Sequence, residues 1–313
     1  MDSQKDRLKV NSPDFSPDNK TLLLAYCPPR SNCTLALYEL GSGRLSVFQP
    51  PQGEEWGMGK FSADGKKIVF VVGLGNDAVT QIATVNLDGT GYRALTTTKD
   101  RKDTPDFSPD GKRVIFAKAR RERESGRTRF SDSDIYELDI ASKQETRLTE
   151  FEFFSANPPA YLPDGRHFIF SAEPLSNFRD YKEKFQDNTI FIMSKTDHTL
   201  QPAFTRGDHS YDPSVSTDGS KILFNSISND LDGVKGNYNY DLFLKTPGGI
   251  ARLTKLESMI TQGNISPDGR RVVFLSDKER NHREDLMVMN SDGTGLQKIE
   301  LSVPDRVITV RSD

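Results

Sequence analysis

Histidine, cysteine and tryptophan are scarce in this sequence of 313 residues, with four, two and one copies. The two cysteines fall short of the four ligands that a structural zinc site takes. No C-x-x-C or H-E-x-x-H motif occurs, and Gly59-Lys60 lacks the upstream glycine and the following Ser or Thr of a phosphate-binding loop. Long apolar runs are also missing, since stretches such as Ile68 to Val72 are far too short to span a bilayer. Neither charge dominates: 42 Lys and Arg against 45 Asp and Glu leave a net charge of −3. That balance argues against the basic surface of a general nucleic-acid binder. The first residues, Met1 to Arg7, are polar and show no export signal. The expected location is therefore periplasmic or extracellular if a signal has been removed, and cytoplasmic otherwise.

Cys27 and Cys33 are separated by Pro28-Pro29-Arg30-Ser31-Asn32 and flanked by the apolar stretches Thr21 to Tyr26 and Thr34 to Leu40. They can face each other across a hairpin neck, either as a disulfide or as two free thiols. A disulfide points to an oxidising compartment.

What the chain does have is a repeat. Six segments share one pattern, among them "PDFSPDNKTLLLAY" from Pro13, "PDFSPDGKRVIFAK" from Pro105 and "GNISPDGRRVVFLS" from Gly263. Their central aspartates are Asp18, Asp64, Asp110, Asp164, Asp218 and Asp268, at steps of 46, 46, 54, 54 and 50 residues. Ser-Pro-Asp-Gly suits a type I turn, with proline presetting φ and glycine accepting a left-handed conformation; Asn19 takes the glycine's place in the first copy. The turn leads into a run such as Val114-Ile115-Phe116, continuously apolar and therefore buried on both faces. A second strand pair follows, as in the segments from Asp134 and from Asp285. Four strands per unit, six units and no long amphipathic helix predict an all-β fold, a six-bladed β-propeller of four-stranded antiparallel blades forming one domain over residues 1–313. A solenoid has shorter repeats. Closure of the ring is left open, with Asp6 to Val10 and Val303 to Ser312 each available as a strand at the seam.

The unit "P-x-F-S-P-D-G-K-x-I-x-F … D-I-Y-x-x-D … R-L-T" resembles the WD40-like "PDG" repeat of TolB-type β-propellers, from Pro13 to about Leu301. The resemblance implies a bacterial envelope role in which a propeller docks a lipoprotein partner. TolB-type proteins carry an extra N-terminal domain, for which no room is expected here. Related propellers gate prolyl oligopeptidases, which need a hydrolase domain with a G-x-S-x-G elbow that is absent from this sequence. Related oligogalacturonate lyases use clustered histidines around a metal.

Strand alternation sorts the connections onto two faces. The tight turns, including those at Asp88 and Asp292, share one face and read as hairpins rather than calcium loops. The long second-to-third-strand connections share the other face, at about Lys118 to Ser133, Glu173 to Asp187 and Ser226 to Tyr240. Loops of that length on a rigid scaffold are where binding resides. The first is basic, with Arg120, Arg121 and Arg123; the others add Phe178, Tyr181, Phe185, Tyr238 and Tyr240. The links between blades reach the channel mouth on the same face and supply Trp56, Asp103, Asn157, His209, Tyr211, Asp212 and Gln262. Trp56, at a glycine-rich lip, and Tyr211 are the expected stacking surfaces. Of the histidines, only His209 and His282 approach the mouth, short of a three-histidine metal centre. Asp230-Leu231-Asp232-Gly233 lacks the distal glutamate of a calcium loop. The expectation is a monomeric, non-enzymatic scaffold without a cofactor, binding a protein or peptide such as an envelope lipoprotein. A calcium-like cation at the mouth aspartates stays open. The alternatives are a glycosidase-type or lyase-type propeller, or a carbohydrate binder, at the same mouth, and a detached partner subunit of a hydrolase.

Overall fold

A computed structural model describes residues 7–74, 78–124, 127–150, 155–173, 188–204, 209–227, 239–279 and 283–312. These residues contain no helix. Their strands form six four-stranded antiparallel units, the fifth and sixth joined into one sheet by a single parallel bridge between Tyr240 and Met259. The inner strands are Lys9–Phe15, Glu54–Phe61, Arg101–Phe107, Ser155–Tyr161, Ser210–Val215 and Met259–Ile265. Each packs beside the inner strand of the next unit, and the sixth beside the first.

The second strands are the apolar runs after each turn, and their buried faces explain the arrangement. Val114, Ile115 and Phe116 are all fully buried, and consecutive buried residues in a strand need cover on both sides. Six apolar clusters among the described residues supply it, one at each junction between neighbouring units. The junction of the last unit with the first is built like the rest, with Val10, Leu22 and Leu24 against Val273 and Leu275.

Closure differs at the two ends of the chain. Among the described residues of the N-terminal segment, Lys9 and Val10 open the inner strand of unit 1 rather than a separate strand at the seam. At the other end, Arg306–Thr309 lies parallel to Leu45–Gln49 and extends unit 1 at its outer edge. Asp305 fixes this register, its carboxylate accepting from the Leu45 amide at 2.8 Å. Arg311 exchanges backbone bonds with Gly89 and Tyr92 of unit 2.

The repeated turn is held by its own serine and aspartate. In unit 3, Ser108 Oγ donates to Asp110 Oδ1 at 2.6 Å and accepts from the Arg113 amide at 2.9 Å. The same pair occurs at Ser16–Asp18, Ser62–Asp64, Ser216–Asp218 and Ser266–Asp268. Unit 4 has Leu162 instead of serine, and there Asp164 Oδ2 pairs with His167 Nδ1 at 2.6 Å. The serine hydrogen bond, with the Ser220 amide next, holds the Asp218 carboxyl down at about 2.

The "D … R-L-T" part of the repeat fastens the outer strand. Asp134, 1% exposed, accepts from Thr149 Oγ1 and from the Arg147 guanidinium, both at 2.5 Å. Thr149 Oγ1 in turn accepts from the Ile135 amide at 2.9 Å. Asp241, Arg252 and Thr254 repeat the arrangement in unit 5. Substituting Asp134→Ala strips the buried Thr149 hydroxyl and the partly exposed Arg147 guanidinium of their acceptor, at a cost of about 1–3 kcal/mol. Urea unfolding is expected to show that loss, whereas a cost below about 1 kcal/mol would mean that the pair is not a fastening.

Candidate functional site

A bulge in every inner strand builds the lining of the channel. The register with the second strand slips at one place per unit, between Asn11 and Asp14, Gly57 and Lys60, Asp103 and Asp106, Asn157 and Ala160, Tyr211 and Ser214, and Thr261 and Asn264. Ser12, Met58, Thr104, Asp212 and Gln262 take positive φ there, between 49° and 53°, and Pro158 holds the equivalent place in unit 4. The next residue is proline in four units and glycine in two. A Cβ on Gly263 would lie 2.5 Å from Leu242 Cδ2.

The bulges bring several expected residues into one ring. Asp103, Asn157 and Tyr211 share a register position, with Asp212 and Gln262 one residue further on. Gln262 Oε1 accepts from the Ser12 amide at 2.5 Å, across the closing junction. Burial pushes the Asp212 carboxyl up, opposed by the Gln262 amide. Burial likewise raises Asp103, opposed by Arg101, whose Nε lies 2.7 Å from Asp103 Oδ2.

Towards the turn face, two residues past the bulge, lies a layer that sequence reasoning missed. Lys60 Nζ donates to Asp14 Oδ1 at 2.9 Å, and Asp106 faces the same ammonium. Burial pushes Asp106 up to about 6, with Lys60 opposing and Asp14 adding to it. The repeat had marked these aspartates only as strand residues before a turn.

At the mouth, His209 Nδ1 and Tyr211 Oη are 3.4 Å apart. The Tyr211 ring meets Tyr240 edge-on at 5.8 Å. Burial raises the Tyr211 phenol, then Tyr240; a hydrogen bond from Asn188 opposes, and Glu173 adds to the rise. Burial also raises Glu173, with His209 opposing. Glu173 and Asn188 come from unit 4, His209, Tyr211 and Tyr240 from unit 5. Asn188 Oδ1 is buried there without a hydrogen-bond partner among the described residues.

Other expectations are corrected. Trp56 is 0% exposed and lines no lip: it fills the junction of units 1 and 2, 4.3 Å from Phe70 and 5.1 Å from Tyr92. Its Nε1 donates to Glu54 Oε2 at 2.8 Å. Lys102 occupies the matching place in unit 3, also 0% exposed, with Nζ donating to the Thr98 carbonyl at 3.0 Å. Burial brings its ammonium down to about 8. The basic connection of unit 3 is no loop but a strand pair, Arg113–Glu124 with Arg127–Asp139, which carries Arg120, Arg121 and Arg123. Phe178, Tyr181, Phe185, Tyr238, His282 and the segment from Asp230 to Gly233 lie outside the described residues. Cys27 and Cys33 are joined as a disulfide, and Asn11 Nδ2 lies 3.9 Å from Cys27 Sγ. No group of three or more His, Cys, Asp or Glu among the described residues is arranged to hold a metal.

No family model matches the chain. The Tol-Pal system protein TolB of Francisella tularensis subsp. mediasiatica is 25% identical over 177 residues, 56% of this chain and 35% of that relative. The match thus spans about a third of the relative's length. The crystal structure of TolB from Acinetobacter baumannii superposes with a TM-score of 0.65 at 20% identity, covering 93% of this chain and 62% of that one. The chain has a TolB-like propeller fold. An oligogalacturonate lyase in complex with manganese is similar too, with a TM-score of 0.60 at 14% identity, over 91% of this chain and 74% of that one.

Two outcomes follow from the geometry. Trp56→Ala should cost about 3–5 kcal/mol in urea unfolding, as for a filled core site; a fully stable variant would return Trp56 to the surface. Because folding raises Asp106 from an ordinary value of 3.8 to about 6, the folded state binds the extra proton, and stability falls as pH rises through that interval. Asp106→Asn is expected to flatten this part of the stability profile. An unchanged slope would place the titration elsewhere.

Proposed function

We propose that this chain is a non-enzymatic, single-domain propeller of six blades that binds a protein partner at its mouth face in the bacterial cell envelope. The observation that carries the reading is the mouth cluster of Glu173, Asn188, His209, Tyr211 and Tyr240. It combines two half-buried aromatic rings with hydrogen-bonding groups, all set at or beside strand ends. Rigid aromatic anchors of this kind dominate binding energy at protein interfaces. The relative's name places it in a Tol-Pal system, which makes Pal the first partner to try. A disulfide at the edge of unit 1 accords with an oxidising compartment such as the periplasm. A ring whose last unit packs on its first needs no second copy, so a monomer is expected.

Calorimetric titration with a soluble Pal domain tests the reading. Wild type and Trp56→Phe should bind alike, while His209→Ala/Tyr211→Ala should bind roughly tenfold or more weakly, as for loss of a central anchor. Equal affinity in the double variant would move the site off this cluster, and no binding by wild type would remove Pal as partner. The likeness to a lyase supports a second reading, a carbohydrate site at the same mouth. A rise in melting temperature with oligogalacturonides, lost in the double variant, would favour it.

A further inference from the structure

The mouth cluster holds acceptors that have nothing to accept from. Glu173 and Asn188 stand one step beyond Ala172 and Thr189, the last pair of their ladder. Burial raises the Glu173 carboxyl and His209 opposes the rise; no lysine or arginine among the described residues is paired with it. Asn188 donates to the Tyr211 phenol through its amide group, while its Oδ1 is buried with no partner among the described residues. Ser226 belongs to the same place, since it pairs with Ser210, whose amide bonds to the Asn188 carbonyl. It is 0% exposed, and its Oγ likewise has no partner among the described residues. Buried polar atoms are nearly always paired, so two such atoms at one junction call for an explanation.

A carboxylate and an amide oxygen together call for a donor that carries positive charge. The side chains around them narrow the choice. Tyr211 and Tyr240 meet edge-on at 5.8 Å, and Met259, bridged to Tyr240, is 42% exposed. Tyrosine faces attract cations, and rings and thioether offer apolar cover to an alkyl stem. The same arrangement is filled twice elsewhere in the chain. Lys118 Nζ lies 4.7 Å from the Tyr136 ring centre and donates to Glu145 Oε2 at 2.7 Å. Lys195 Nζ lies 5.1 Å from the Tyr161 ring centre and donates to Glu137. Each combines a tyrosine, a glutamate and a lysine. Among the described residues, the mouth cluster has the tyrosines and the glutamate without the lysine. Its acceptors come from separate residues, which suits the three rotatable donors of an ammonium better than the planar fork of a guanidinium.

We infer that the mouth cluster takes the side-chain ammonium of a lysine presented by the partner protein, with Glu173 and Asn188 Oδ1 as its acceptors and the Tyr211 and Tyr240 rings along its stem. The inference rests on the reading that the mouth face binds a protein, and adds the residue type that it recognises.

The probe is an N-acetylated, C-amidated heptapeptide of glycine and serine with one central lysine, titrated into isotope-labelled protein and followed by NMR. Wild type should bind it saturably, with shifted amide signals at Asn188, His209 and Tyr211, and more weakly as salt rises. Acetylating the lysine side chain removes its charge and should cost roughly tenfold or more in affinity. Glu173→Gln should cost as much without lowering the melting temperature. Asn188→Asp should bind roughly threefold more tightly, the gain of one partly exposed charge pair. No saturable binding, equal binding of the acetyl-lysine peptide, equal binding by Glu173→Gln, or tighter binding of an arginine peptide would each overturn the inference. So would equally tight binding of a lysine-free peptide with an unblocked N-terminus, which would assign the site to a terminal amine. Loss of Pal binding in His209→Ala/Tyr211→Ala, with no lysine-peptide binding by wild type, would leave the mouth reading standing and remove this inference alone. Lysine-peptide binding that Glu173→Gln abolishes, with no binding of Pal, would remove Pal and uphold the lysine site.

Discussion

Neighbouring inner strands in this ring do not pair with one another, and that is the constraint on which the rest of the structure turns. Each inner strand has one edge against its own unit and one edge towards the axis, where backbone groups need partners. The partners come from side chains two residues past the bulge. Asp14 accepts from the Phe61 amide of the next unit, Asp106 from Tyr161 and Ser214 from Ile265. Asn264 closes the circle by donating to the Pro13 carbonyl at 3.0 Å. The channel is thus lined by polar residues for a structural reason. Their charges are then constrained in turn: Asp14 and Asp106 can lie near each other because Lys60 sits with them.

The bulge and these links also explain why a binding cluster can stand at the mouth. An inserted residue at positive φ increases the local bend of a strand. The strand ends near the mouth are then held by the polar layer below and by the apolar junctions on either side. Tyr211 therefore presents its ring from a backbone anchored at Ser214, and its partners from unit 4 arrive on strand ends of the same kind. The Ser210 amide bonds to the Asn188 carbonyl at 3.0 Å, which ties the two halves of the cluster together. Side chains locked in this way lose little conformational freedom on binding, a condition for a useful recognition site.

The repeat was legible because turn and strand chemistry are local. Serine, proline, aspartate and glycine at fixed offsets, followed by an apolar run, specify their geometry within a few residues, and six copies made the pattern unmistakable. The unit "R-L-T" was visible too, although its purpose, holding a buried aspartate, emerges only when two strands are side by side. Residues whose role depends on the neighbouring unit were not legible. Trp56 lies between two glycines' worth of polar sequence, so nothing local signalled its burial against Phe70 and Tyr92. Lys102 is the stronger case, since a lysine flanked by Arg101 and Asp103 reads as surface until the junction of units 2 and 3 is assembled around it. The long strand pair of unit 3 was hidden by composition: a charged run lacks the alternation by which a half-buried strand is recognised.

Comparing the six inner strands with each other separates scaffold from site without any outside reference. At the turn end they nearly coincide: Phe15, Phe61, Phe107, Tyr161, Val215 and Ile265 are all large and hydrophobic, and five are followed by serine. At the mouth end the matching residues are Lys9, Glu55, Arg101, Ser155, His209 and Met259, which share neither charge nor size. A residue that only completes a packed junction faces the same demand in every unit and should recur. A residue that meets something asymmetric need not recur, because each unit presents it to a different part of the partner. The variation therefore lies where a ring of equivalent units has to recognise an object without its symmetry.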